Sequence, residues 1–525
     1  MVGRMALRGR STAVRRAAAP GEASRPAPAA LTLSVVGITA VLLLPVVAVG
    51  LQAVSVGPRR AAHLLALPLV PMLLQNTVTL TLSVTLGCAA IGVAAAWLVE
   101  RTDIPARRLL AVLLVLPLAI PEFVAGSSWV SLFPSVQGFG GAWLVMTLSL
   151  YPWVYLPVAA TLRRSDPALD DVARSLGAGP VRRFVRVTLP SVRTAVLGGM
   201  LVVALYLLAE YGTFAVLRFR TFATAIFTQY SLGFDAASAS LLTLVLCLMG
   251  VILLAGEYAL RGRSGHPGIR AAGPAAPVRL GRAAPLAVLG MAALVVLALG
   301  VPVGSITYWM IRGGSTTLPS GSVFGATAES LLLGAGAAVV ATLLALPVAL
   351  LSLRHPSRLA STLERGAYLV RALPGVAVGL TIVSFAVHHL SPLYQSTVLL
   401  EAGYVVLFFP LALIAVRAAL ARVPPELEDA ARSLGETWLG ALRRVSVPLV
   451  LPGLAAAAAL VSLSATTELT ATLLLRPTGV ETLATQFWLY TSNLAYGAAA
   501  PYAAIMVVTS AIPVFLLTRL GLARS

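Results

Sequence analysis

This 525-residue chain contains no lysine: all 38 of its basic residues are arginine. A phosphate-binding P-loop sets a lysine on the phosphates, and Schiff-base catalysis needs a side-chain amine, so the chain is equipped for neither. Cysteine is nearly absent too. Cys88 and Cys247 are the only two and both sit in apolar runs, which excludes a disulfide framework and a CxxC-type metal site. Charge is scarce, at 11% of residues against 58% hydrophobic, where a water-soluble domain carries about 25% charged residues. The bilayer is therefore the expected solvent. The net charge of +19 does not point to nucleic acid, because the arginines are scattered between apolar runs and form no groove-sized patch.

What is present is a series of apolar stretches, each near the roughly 20 residues that a spanning helix needs. Twelve are expected: 31–54, 73–99, 109–131, 141–162, 192–212, 238–260, 284–310, 328–352, 366–388, 397–419, 449–470 and 499–519. The first thirty residues, with Arg4, Arg8, Arg10, Arg15, Arg16 and Arg25, read as a disordered basic arm; the run after them is too long for a signal-peptide core. If the arm is cytoplasmic, the loops 100–108, 163–193, 353–365 and 420–448 on its side hold most of the arginines. The opposite side holds Arg59, Arg60, Arg218, Arg220, Arg312 and Arg476. By the positive-inside rule both termini are cytoplasmic. Residues 261–283, rich in Gly, Pro and Arg, read as a flexible cytoplasmic linker.

The two sides of that linker repeat one another. Shifted by 258 positions, DVARSLG at 171–177 falls on DAARSLG at 429–435, Arg186 on Arg444, Pro190 on Pro448, Pro152 on Pro410, Pro167 on Pro425, and Glu210 on Glu468. Shifted by 253, AIPEFVAG at 119–126 falls on ALPGVAVG at 372–379. Two six-span halves that start on the same side make a parallel repeat. The expected fold is thus all-α and polytopic, a pseudo-dimer of one domain at 31–260 and another at 284–525.

Each half carries an organised cytoplasmic loop, at 166–190 and at 424–448. Pro167 and Pro425 suit a helix start, and Asp170, Asp171, Glu426, Glu428 and Asp429 complement the dipole of the first turns. Leu169, Val172, Ala173 and Leu176 share one face, as do Leu427, Ala430, Ala431 and Leu434. Gly177 and Gly435 are placed to end the helix in a left-handed turn, and an arginine-rich amphipathic segment then runs to Pro190 or Pro448. A helix lying in the headgroup layer needs only amphipathicity. Retention of the same Arg, Ser, Leu and Gly in both copies points instead to two equivalent docking sites, with Leu176 and Leu434 as apolar anchors.

This pattern of an acid, alanine, a glycine four residues on and a proline about thirteen further resembles the EAA loop of permease subunits of binding-protein-dependent ABC importers, of the MetI-like type. LPLAIPEFVAG (116–126), SLYPWVYLPVAATLRR (149–164) and AEYGTF (209–214) look like the fused twelve-span permeases of ferric iron importers. The resemblance implies two MetI-like domains and coupling helices carrying Asp171, Ala173, Leu176, Gly177, Asp429, Ala431, Leu434 and Gly435. It implies two copies of a separate ATPase subunit that uses ATP and Mg, none bound by this chain, and an extracytoplasmic substrate-binding protein. The chain itself is then a transport subunit and not an enzyme.

For the cargo, Glu210 and Glu468 are intramembrane acids, expected beside a central pathway with Tyr211, Thr466, Thr467 and Thr470 nearby. Their alternatives are an external interface position or pairing with Arg371 or Arg218. Oxygen ligands suit a hard trivalent cation, and also an organic cation such as thiamine; related permeases carry thiamine, phosphonate and other small solutes. Glu122 has Gly375 as its mate, so the pathway is not strictly symmetric. An ion-coupled secondary transporter would leave the duplicated loop unexplained. An intramembrane enzyme would have to rely on His388 and His389, which lack HExxH spacing.

Overall fold

A computed structural model describes residues 28–164, 168–231, 233, 235–261, 278–313, 320–370 and 373–522. The basic arm up to residue 27, most of the linker (262–277), the start of the first patterned loop (165–167) and Arg371 lie outside the described residues. Among the described residues the secondary structure is helical, apart from one isolated bridge between Thr102 and Val278. That bridge pins the end of the linker to the loop 100–108, with Val278 N donating to Arg101 O at 2.8 Å and Leu280 N to the Asp103 carboxylate at 2.8 Å.

Nine of the twelve expected spans are single helices long and apolar enough to cross a bilayer among the described residues. The third expected span is not one rod. It breaks into Arg107–Ala119 and Glu122–Leu132, bent by 93°. Pro121 cannot donate to the helix and drives the preceding Ile120 into extended backbone (φ −100°, ψ 115°). The ninth, 366–388, breaks at the repeat-related Pro374 into Arg358–Leu369 and Gly375–His389. The fifth and eleventh also end early, at Ala209 and Thr466, each just before its glutamate. The twelfth position is filled by Tyr496–Leu522.

The first span of each side packs across the linker boundary. Leu31, Val35 and Leu42 of helix Ala29–Ser55 join a core with Leu333, Ala337, Ala360 and Val370. Reciprocally, Met291, Ala298 and Ile306 join the core of Leu114, Ala119, Val124 and Trp129. Ser305 and Ser131 share a 3.0 Å hydroxyl contact there, and Trp309 Nε1 donates to Ser131 Oγ at 3.0 Å. Within each side, small residues let helices touch. Ala337, Ala341, Ala345 and Ala349 form a buried stripe on helix Ser320–Arg354, spaced one turn apart.

Gly92 is one such close approach in the first half: a β-carbon there would stand 2.9 Å from Tyr155 N and 2.9 Å from Val154 Cβ. Because backbone cannot yield as a flexible side chain does, Gly92→Val is expected to cost about 1–3 kcal/mol. A lowered midpoint of thermal unfolding in detergent checks this; an unchanged midpoint contradicts it.

Candidate functional site

The patterned loops form two short helices, Ala168–Ser175 and Pro425–Ser433. The second begins with Pro425 in its first turn, followed by Glu426 and Glu428, as the helix dipole favours. Both end the same way. Gly177 and Gly435 take φ of +77° and +97°, the left-handed backbone that a side chain resists. Ala178 N donates to Ala173 O at 3.0 Å and Gly177 N to Arg174 O at 3.0 Å; Glu436 N donates to Ala431 O at 3.1 Å and Gly435 N to Arg432 O at 3.0 Å. These paired bonds are the Schellman arrangement.

The sharp stop leaves the preceding leucines standing free. Leu176 is 80% exposed and Leu434 87%, the latter more than any other large hydrophobic residue among those described. Val172 and Leu427 are exposed as well, so each helix shows water an apolar face. Ala173 and Ala431 are half-buried beneath them. Asp429 is engaged by Arg432 one turn on. The side chains of Leu169, Asp170 and Asp171 lie outside the described residues.

The arginine-rich segment after each glycine does not stop at its proline as the sequence suggested. It passes through a wide π-helical turn, Phe184–Thr188 or Leu442–Ser446, straight into Leu189–Ala209 or Val447–Thr466. Pro190 and Pro448 follow directly on this widened turn, which accommodates the ring and the missing amide within a continuous helix. The arginine-rich segment that follows each short helix is therefore continuous, through one turn, with the span that ends at the glutamate.

At those far ends, Glu210 turns extended (φ −74°, ψ 126°) and its carboxylate caps the next short helix, Gly212–Val216. Thr213 N and Thr213 Oγ1 both donate to Glu210 Oε1 at 2.7 Å. Glu468 repeats this by accepting from Ala471 N at 2.8 Å before helix Thr470–Leu475. Among the described residues neither glutamate pairs with an arginine, Arg218 included. Both sit deep in the protein yet keep part of their surface accessible.

A third carboxylate, which the sequence marked only as unmatched, belongs with them. Glu122 opens helix Glu122–Leu132 directly after the break and accepts from Tyr206 Oη at 2.6 Å. Tyr206 lies within electrostatic reach of Glu122, Glu210 and Glu468 together. Its role was hidden because it reads as one more apolar-face residue. At the repeat mate of Glu122, a β-carbon on Gly375 would approach Glu468 Oε1 to 3.2 Å, so Glu468 occupies the space that a side chain there would need.

Other expected residues sit elsewhere. Tyr211 is buried in an aromatic cluster, stacked on Phe227 with centroids 4.1 Å apart and tilted toward Trp488. Thr467 is half-buried and returns its hydroxyl to Leu463 O at 3.1 Å, and Thr466 and Thr470 are buried. His388 Nδ1 lies 2.7 Å from Ser384 O, and His389 stacks on Phe385. Among the described residues no three His, Cys, Asp or Glu side chains come close enough to share a metal ion. Removing the Tyr206 donor to Glu122 should cost about 1–3 kcal/mol, since the enclosed oxygen would lose its side-chain partner. Tyr206→Phe, with a thermal midpoint measured in detergent, reads that loss; wild-type stability contradicts the assignment.

A family model described as "Binding-protein-dependent transport system inner membrane component" matches residues 88–263 and again 337–522. The chain is 36% identical over 496 residues, 93% of its own length and 98% of the relative's, to the Fe(3+)-transport system permease protein FbpB 2 of Haemophilus influenzae. It is 30% identical over 260 residues to the sulfate transport system permease protein CysW of a Synechocystis species, covering 45% of this chain and 93% of that protein. It is 31% identical over 194 residues to a probable molybdenum ABC transporter permease protein of Haloferax volcanii, covering 34% of this chain and 72% of that protein. A nearly whole sulfate permease thus corresponds to about half of this chain, as a duplicated architecture requires.

Proposed function

Since the chain belongs to the family of binding-protein-dependent transport system inner membrane components, we propose that it moves ferric iron inward across the cell membrane between its two halves. It is an ABC importer permease, a multi-pass membrane transport subunit. Both termini lie in the cytoplasm in this reading, and the domains run 31–260 and 284–525. Cargo arrives on an extracytoplasmic binding protein, and two ATPase copies, which use ATP and Mg, supply the energy. Their closure draws the helices bearing Asp171, Ala173, Leu176, Gly177 and Asp429, Ala431, Leu434, Gly435 together and opens the passage outward. Hydrolysis reverses the movement.

The choice of cargo rests on one observation: Glu122, Glu210 and Glu468 are enclosed together and, among the described residues, no guanidinium answers them. An oxyanion such as sulfate would meet acceptor oxygens and find no donor cation. A hard cation finds the oxygen ligands it prefers. The Fe(3+) transport for which the Haemophilus relative is named, a match over almost the full length of both chains, supports the same cargo. Tyr211 and Thr467, next to these carboxylates in the sequence, belong to the same pathway in this reading, Tyr211 packed on Phe227 and Thr467 bonded back to Leu463 O.

Two measurements test the reading. Glu210→Gln and Glu468→Gln keep an oxygen for the capped amides, so the chain should assemble while labelled-iron uptake in a deletion strain falls about tenfold or more; unchanged uptake, or restored sulfate or thiamine uptake without iron uptake, contradicts the cargo. Leu176→Glu and Leu434→Glu, at solvent-facing positions, should leave thermal stability within about 0.5 kcal/mol while abolishing co-purification of the ATPase. Normal transport by these variants or by Gly435→Arg removes the docking role.

A further inference from the structure

Helices Leu69–Arg101 and Ser320–Arg354 are repeat mates at the 253-residue shift, and each is tied by polar bonds at both ends though its middle is apolar. At the outer end of the second, Glu481 N donates to Glu329 Oε2 at 2.6 Å and Leu483 N to Ser330 Oγ at 2.8 Å. At the same place on the first, Asn76 Nδ2 donates to Arg220 O at 3.0 Å and Phe222 N to Thr77 Oγ1 at 3.3 Å. Both sets hold the segment that follows the glutamate-capped short helix. At the cytoplasmic ends, Arg101 Nη2 donates to Leu162 O at 3.1 Å and Arg354 Nη2 to Val423 O at 2.9 Å.

Arg354 does more. Its Nη2 lies 2.9 Å from Glu428 Oε1, within the docking helix Pro425–Ser433, and both side chains are only 13% exposed. The buried Ser446 donates to the same oxygen at 2.7 Å. Between the ends, Gly334 lets the helix press on Val447–Thr466: a β-carbon there would stand 2.9 Å from Ser462 O and 2.9 Å from Thr466 Cγ2, two residues before Glu468. From Glu329 to Arg354 the helix is about 38 Å long at 1.5 Å per residue, more than the hydrocarbon thickness.

We propose that Ser320–Arg354 is the rod that carries movement of the docking helix to the outer segment 476–483, with Arg354 as the positioning residue that grips the docking helix through Glu428. It rests on the reading above that an ATPase drives this chain. A lone salt bridge at a surface would not transmit force, because solvent competes for both partners. Here the pair is enclosed, its acid is shared with Ser446, and its helix is fastened again at the far side.

The test uses the full importer, purified with its ATPase and reconstituted in liposomes, with labelled-iron uptake and ATP hydrolysis measured together. In Arg354→Gln, hydrolysis persists and uptake per ATP falls about tenfold, a typical coupling magnitude. Glu329→Ala, at the opposite end, does the same. The double variant is no worse than either single one, since a rod cut once carries nothing. The charge swap Arg354→Glu with Glu428→Arg restores uptake per ATP. Wild-type coupling in Arg354→Gln, or additive losses in the double variant, overturns the rod; so does normal coupling in Glu329→Ala should the Arg354 variants fail to assemble. A wild-type chain that holds no ATPase overturns the functional reading instead, and the rod with it.

Discussion

A backbone amide or carbonyl left unpaired in hydrocarbon costs several kcal/mol, and hydrocarbon offers no water to replace the lost partner. Every place where this chain stops being helical within the bilayer has to answer that demand from its own side chains. Four such places matter: the breaks at Pro121 and Pro374, and those at Glu210 and Glu468. The glutamates meet it by turning back to the amides of Thr213 and Ala471. Ionisable groups are thus drawn to the middle of the protein for a backbone reason, and the same placement gives the proposed passage its chemistry.

Interlocking of the two sides follows from the same solvent. Without a hydrophobic force between helices in lipid, association depends on close van der Waals fit and on a few hydrogen bonds. The exchange of first spans supplies both, through the Leu31, Val35 and Leu42 face on one side and the Ser131, Ser305 and Trp309 cluster on the other. One chain carrying both halves removes the need to find a partner. It also frees the copies to diverge, as Glu122 and Gly375 have done.

The architecture was legible in the sequence wherever it depended on composition or local backbone. Hydrophobic run lengths located the spans, and the twin ARSLG phrases located two short helices with their left-handed glycines, now seen at Gly177 and Gly435. Run length could not reveal the breaks, because LAIPEF and ALPGVA are as apolar as any span; only Pro121 and Pro374 betray them, through the conformation each forces on the residue before it. The packing of Tyr211 against Phe227 and Trp488 could not be read from its place beside Glu210, because those partners come from other elements. The Tyr206 bond to Glu122 and the Arg354 bond to Glu428 join residues 84 and 74 positions apart. No local pattern encodes such pairs.

Capping and cargo contact are not independent tasks for one carboxylate. Glu210 commits Oε1 to both Thr213 donors, so a cation that drew that oxygen away would uncap helix Gly212–Val216 and release its first turn. Cation contact in the proposed passage is therefore paid back in lost helix bonds, which keeps the affinity modest. Modest affinity is what transport asks for, because a cargo held as tightly as a structural metal would not leave. The separation of the carboxylates works in the same direction: among the described residues no three ligands converge on one point. The proposed passage would then meet its cargo a few oxygens at a time, and retention would fall to whatever delivers it.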